Sequence, residues 1–135
     1  MSDATPANEF VTDTMALVLR IERRRLGPAV RAIFGAAETV HATVHVPAMV
    51  FAEILYLSER QRLRMSLSDL ADYLKKYPKY QEYPMSLAVV QSAAQILDIR
   101  ELHDRLIAGT ARLLDVALIT NDPVIQASAF VKSVW

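Results

Sequence analysis

Four carboxylic acids stand where this sequence makes acids expensive. Glu53 is the one charged residue in the twelve positions VPAMVFAEILYL from Val46 to Leu57. Burying an ionised carboxylate costs several kcal/mol unless it is paired or binds a metal, so its presence there needs a reason. Asp13 and Asp122 each follow a short apolar stretch that reads as a strand, and Asp104 sits at the start of the helical stretch that feeds the second of them. Beyond the carboxyl ends of parallel strands is where ligands of open α/β sheets bind, so four acids on four elements can meet there. Two carboxylates about 4 Å apart repel by roughly 4 kcal/mol at an effective dielectric near 20. Either some stay protonated with raised pKa, or a divalent cation neutralises them. Oxygen ligands suit Mg²⁺ or Mn²⁺, and the chemistry this supports is hydrolysis of a phosphodiester by metal-activated water.

Each acid also has a plain structural reading. Asp104 can favour a helix dipole, and Asp122 before Pro123 can be an N-cap or an Asx turn. Asp13 can cap the helix after the first strand, and Glu53 can pair with an arginine in the core. Their joint placement favours the metal site.

The elements that must position these acids follow from pattern. A short strand over 9–13 is followed by a helix from Met15 to Arg25, with Leu17, Val18 and Ile21 on one side and Arg20, Arg23 and Arg24 on the other. Gly27-Pro28 breaks it, and 29–37 forms another helix. A strand near 43–46 leads into a helix from Pro47 to Arg62, proline being favoured in a first turn. Ser66 and Asp69 have capping-box spacing for a helix over 66–76. Pro84 confines a strand over 79–85 to a sheet edge. A helix over 86–97, a helix opening near Asp104 and ending at a short connection at Leu114-Asp115, a strand over 116–120, a helical turn over 123–127 and a last strand over 131–135 complete the chain. Small residues Ala108, Gly109, Thr110 and Ala111 let the helix that opens near Asp104 approach a sheet closely. Strands alternating with helices predict an α/β fold, a three-layer α/β/α sandwich on a mostly parallel sheet.

Composition limits the function classes. The 135 residues fit one domain, 9–135, after a flexible tail, 1–8. Fifteen basic residues balance fifteen acidic ones, so nucleic-acid binding must come from a local basic patch or from metal-bridged phosphates. With no cysteine there is no disulfide, thiolate metal site or cysteine nucleophile. No apolar run is long enough to span a bilayer and no signal pattern opens the chain, so a soluble, cytoplasmic protein without membrane contact is expected.

The motifs together resemble the PIN domain family, and within it the compact VapC-type toxins of toxin-antitoxin modules. The resemblance runs from Glu9 onward and rests on VTDT with Asp13-Thr14, VPAMVFAE with Glu53, LHDRLIAGTA with Asp104, and LITND with Thr120 and Asp122. It implies a Mg²⁺- or Mn²⁺-dependent ribonuclease, often a homodimer, silenced by a small antitoxin whose tail enters the acidic groove. It also implies that Asp13, Glu53, Asp104 and Asp122 bind the metal and that Thr120 positions water or ligands. The chain departs from the family pattern at Met15, and again at Val124, Ile125 and Gln126, where a further acid is common; these departures bear on a second metal ion.

Arg20, Arg23, Arg24 and Arg25 form the densest basic run, and Arg60, Arg62 and Arg64 another. Such runs are most often solvated faces, but in a neutral RNA-cutting protein they are the first candidates for phosphate contacts, Arg20, Arg23 and Arg24 above all. Tyr73, Tyr77, Tyr80 and Tyr83, interleaved with Lys75, Lys76 and Lys79, favour packing over base stacking. His103 beside Asp104 reads as a surface or supporting residue rather than a ligand. The competing functions are a receiver-like phosphoacceptor, disfavoured because no acidic pair precedes Asp13, a catalytically idle binding module, and a structure-specific DNA nuclease on the same fold.

Overall fold

The computed structural model describes residues 8–135. Residues 1–7 of the expected tail lie outside the described residues, while Asn8 is tied in through its carbonyl, which accepts from the Thr43 amide at 2.8 Å.

Five strands form one sheet in the order β3-β2-β1-β4-β5, every neighbouring pair parallel. They are β1 (Glu9–Thr12), β2 (Thr43–Pro47), β3 (Tyr80–Tyr83), β4 (Ala117–Ile119) and β5 (Ser133–Val134). The helices are α1 (Thr14–Ile21), α2 (Pro28–Glu38), α3 (Ala48–Glu59), α4 (Leu67–Lys76), α5 (Leu87–Ala94), α6 (Leu102–Leu114) and α7 (Pro123–Gln126). The expected α/β sandwich is therefore correct, and its sheet is wholly parallel. Central strands buried on both faces carry continuous apolar runs, and here Val11, Val44, Val46, Leu118 and Ile119 are fully buried. Phe34 from α2, Ile54 from α3 and Ile107 from α6 close over them.

Several boundaries differ from expectation for local reasons. Helix α1 stops at Ile21 because Arg23 takes a left-handed conformation, φ 57°. The Arg23 amide then donates to the Arg20 carbonyl and the Arg24 amide to the Leu19 carbonyl, the paired bonds of a Schellman cap. Arg23, Arg24 and Arg25 thus lie in a loop, not on the helix face expected for them. Val40, Gln61 and Asp115 hold the same left-handed position after α2, α3 and α6. With three glycines in the chain, these stops fall on residues that do not advertise them. Pro47 ends β2 opposite Tyr83 instead of opening α3, which ends at Glu59 and not at Arg62. The Ser66/Asp69 capping box is complete in both directions, and β3 is an edge strand that stops before Pro84.

The small-residue stretch of α6 approaches a helix rather than the sheet at its closest point. A Cβ on Gly109 would lie 2.8 Å from the Ala93 amide nitrogen of α5, so only glycine fits. The Ser92 hydroxyl donates to the Gly109 carbonyl at 2.8 Å across the same contact. This fixes where the first turn of α6, and with it Asp104, emerges.

Candidate active site

From β1 the chain moves outward through β2 and β3, then returns to lay β4 and β5 on the other side of β1. The carboxyl ends of β1 and β4 therefore flank the point where the strand order reverses, the usual ligand crevice of open parallel sheets. Asp13 follows β1, and Thr120 and Asp122 follow β4. Helix α6 must begin at this same edge because it runs back to the start of β4, which brings Asp104, in its first turn, to the crevice. Glu53 comes from the first half of α3, which leaves β2 at this edge. The four acids line one open cleft of about 330 Å³, together with Thr14 and Asn121. The expected convergence is present.

Each side chain is held by local structure. Asp13 is the N-cap of α1, its Oδ1 accepting from the Ala16 amide at 2.9 Å, and its own amide donates to the Ile119 carbonyl at 3.1 Å. Asp122 caps α7, Oδ1 accepting from the Val124 amide at 2.8 Å. The Asp122 amide donates to the Thr120 hydroxyl oxygen at 3.1 Å, and Thr120, fully buried, acts to lower the Asp13 pKa. The buried Thr14 hydroxyl donates to Glu53 Oε1. Glu101, the N-cap of α6, takes the Asp104 amide at 2.9 Å and leaves the Asp104 carboxyl to the cleft. The capping readings of Asp13 and Asp122 are thus correct, and they coexist with the convergence. The Glu53–arginine pair is not formed: among the described residues no Lys or Arg pairs with any of the four acids. The His103 ring lies beside Glu53, its Nδ1 3.7 Å from Oε2.

The electrostatics follow from that isolation. Burial pushes the Asp13 carboxyl up to about 6, against the lowering effect of Thr120 and the Ala16 amide, and repulsion from Asp122 and Glu53 adds to the rise. Burial likewise pushes Asp104 up to about 6, helped by the charges of Glu101, Asp122, Glu53 and Asp13. Both acids feel the others across the cleft, with no cation to offset them. The donor chemistry is that of a hard divalent cation: carboxylates and hydroxyls, no thiolate, imidazole only at the margin. Among the described residues no three acidic or histidine side chains already stand at coordinating distance. Asp13 and Asp122 each engage Oδ1 on the amides they cap and Glu53 engages Oε1 on Thr14, so one oxygen of each is committed to the fold.

Sequence reasoning passed over Thr14, Asn121 and Glu101 as site residues. Thr14 and Asn121 lie inside the VTDT and LITND motifs, so a tighter reading of the same stretches would have found them. Glu101 stands three residues before Asp104, the spacing of an N-cap and its N3 amide. The arginines are placed elsewhere. Arg20, Arg23 and Arg24 line a separate pocket and none reaches the acidic cleft. Tyr73 and Tyr80 pack, as expected, with their hydroxyls on Glu38.

These residues build a wholly parallel α/β/α sandwich with an acid-lined crevice at its reversal point. The PIN domain family model matches residues 10–131, and the chain belongs to that family. No curated protein sequence matches it. Among solved structures, VapBC2 from Rickettsia felis bound to a promoter DNA fragment is similar at a TM-score of 0.72 and 17% identity, covering 94% of this chain and 98% of that one. DNA-bound VapBC from Salmonella typhimurium gives 0.68 and 14%, covering 93% and 96%. FitAcB from Neisseria gonorrhoeae gives 0.65 and 20%, covering 92% and 95%. At these identities the likeness is one of fold. No helix among the described residues is long and apolar enough to cross a membrane.

Proposed function

We propose that this chain is a Mg²⁺- or Mn²⁺-dependent endoribonuclease and the toxin of a toxin-antitoxin pair, acting in the cytoplasm as a homodimer. One observation carries the reading: four carboxylates from four elements share a cleft at the sheet's reversal point without a Lys or Arg partner among the described residues. Natural structures compensate clustered charge, so an uncompensated cluster in a cleft signals a missing cation. Asp13, Glu53, Asp104 and Asp122 would hold it. A bound Mg²⁺ or Mn²⁺ would lower the pKa of a water and offset the charge that gathers on the phosphorus and leaving oxygen.

The chain's own groups do the positioning. Thr14 fixes one oxygen of Glu53, and the Thr120 hydroxyl accepts from the Asp122 amide and acts to lower the Asp13 pKa. Asp104, held only through its backbone, is the acid freest to turn toward a ligand. A small antitoxin partner is supported by a further structure of similar fold, a toxin-antitoxin complex from Klebsiella pneumoniae, at a TM-score of 0.61 and 15% identity.

The competing reading, an idle binding module, draws on the lack of three acids already at coordinating distance. One experiment separates the two. Purified protein is to cleave single-stranded RNA with Mg²⁺ or Mn²⁺, stop in EDTA, and lose activity in Asp104→Asn without unfolding. Cleavage that persists in EDTA would exclude this mechanism, and DNA offered in parallel decides between the two nucleic acids.

A further inference from the structure

A pocket of about 610 Å³ lies at the opposite edge of the sheet. It is built from the end of α1 and the loop after it, from α2, and from the end of α4, all segments that run into the amino ends of strands. Five arginines line it: Arg20, Arg23, Arg24, Arg25 and Arg31. In a chain of zero net charge, this concentrates a third of its fifteen basic residues in one place.

The five are not equivalent. Arg20 grips Glu38 with two bonds, Nε to Oε2 at 2.9 Å and a terminal nitrogen to Oε1 at 2.6 Å, and serves as part of the wall. Arg24 leans on Glu22 at 3.3 Å and is half exposed. Arg23, Arg25 and Arg31 are exposed and have no ion pair among the described residues. The acids at hand leave little to attract them: Glu38, the one acid in the lining, is saturated by Arg20, Tyr73 and Tyr80, and Glu22 outside it accepts from the Arg64 and Met65 amides. Arg23 is held in a left-handed cap, which fixes where its side chain departs. Holding unpaired guanidinium groups together costs Coulomb energy that only an anion returns.

The position relative to the acids gives this a use. Asp13 caps the first turn of α1 and the arginine loop caps its last, so the two sites are separated by one eight-residue helix, a rise of about 12 Å. We propose that Arg23, Arg24, Arg25 and Arg31 form an RNA-anchoring site that grips backbone phosphates of the strand whose scissile bond lies in the acidic cleft. An acidic cleft alone repels RNA, and a basic site one helix away supplies the missing attraction. An acidic protein segment fits less well, because the lining offers only Ile21, Leu26 and tyrosine edges as apolar anchors, and peptide docking depends on such anchors. The inference rests on the ribonuclease reading for the identity of its ligand.

The test is binding, measured without catalysis. Fluorescence anisotropy of labelled single-stranded oligouridylate is recorded in EDTA across a salt series for wild type, for Arg23→Ala/Arg25→Ala/Arg31→Ala, and for the same three positions changed to lysine. The alanine variant is to lose about tenfold or more in affinity and its log–log salt slope is to fall by about 2, since each single-strand phosphate contact contributes roughly 0.7. The lysine variant keeps the slope, which excludes misfolding as the cause. Equal affinity and slope in wild type and alanine variant would overturn the proposal. So would unchanged RNA binding with loss of binding to a polyglutamate probe, which assigns the pocket to an acidic protein segment. Failure of the wild type to cut RNA, with the arginine effect intact, would sink the nuclease reading alone.

Discussion

The two edges of the sheet treat buried acid in opposite ways. At the amino edge, Glu38 is desolvated but receives both Arg20 bonds and the hydroxyls of Tyr73 and Tyr80, at 2.5 and 2.6 Å. Burial pushes its carboxyl up, yet those hydrogen bonds outweigh burial and hold it below the usual carboxylate range. At the carboxyl edge, burial and mutual repulsion win, and Asp13 and Asp104 rise to about 6. The same chain thus shows what a carboxylate looks like when it is there for stability and when it is not. Satisfied acids hold elements together, whereas acids clustered in a cleft without a Lys or Arg partner fit the proposed cation site.

Mutation at each edge sharpens that contrast. Asp104→Asn is to lower RNA cleavage by ~100-fold or more while leaving the urea midpoint unchanged or raised, because it removes repulsion as well as a ligand. A clear loss of stability would place Asp104 with Glu38 as a structural acid. Glu38→Ala is expected to do the reverse through its effect on the fold. It leaves Arg20 and two tyrosine hydroxyls without their acceptor, which costs about 3 kcal/mol in denaturant unfolding. Thr120→Val removes a hydroxyl that supports Asp13, so cleavage falls about tenfold and the acid limb of its pH profile moves up.

Titration gives a smaller effect whose sign is fixed. Asp13 and Asp104 have folded values near 6, above the ordinary aspartate value of about 4, so between those values the folded chain holds more protons than the unfolded one. Stability of the ion-free protein therefore falls as pH rises from about 4 to 6 and stays low at 7. Melting temperature in EDTA is to be higher at pH 5 than at pH 7, with a weaker dependence in Asp104→Asn. Glu22 and Glu38, whose values are lowered from 4.5, contribute stability that is lost as pH falls below about that value, so they oppose the trend only at the acid end of the window and beyond. A flat profile from pH 5 to 7 would remove the distinction between the two edges. The least effect belongs to Val40→Gly, which relieves a β-branched residue at φ 67° and should stabilise by about 1 kcal/mol.

The acidic edge was legible in the sequence because its signals are local. An acid inside VPAMVFAEILYL, or directly after a strand, stands out against its neighbours, and the alternation of strands and helices says that strand ends share an edge. The amino edge was not legible. Glu38 meets Arg20 from 18 residues away and Tyr73 and Tyr80 from 35 and 42, with nothing nearby to announce it. The tyrosine cluster was expected to pack, but its polar centre could not be foreseen. The arginine run was misplaced onto a helix because the helix stop falls on Arg23, where no glycine marks it.

The carboxyl edge is proposed to take a hard cation in place of the protons that Asp13 and Asp104 hold near pH 6. Calorimetry of Mn²⁺ binding near pH 6, in buffers of different ionisation enthalpy, tests it directly. Wild type is to bind Mn²⁺ with net proton release, and Asp104→Asn is to bind more weakly and release fewer protons. Equal binding by both proteins, or Mn²⁺ uptake with no proton release, would contradict the account.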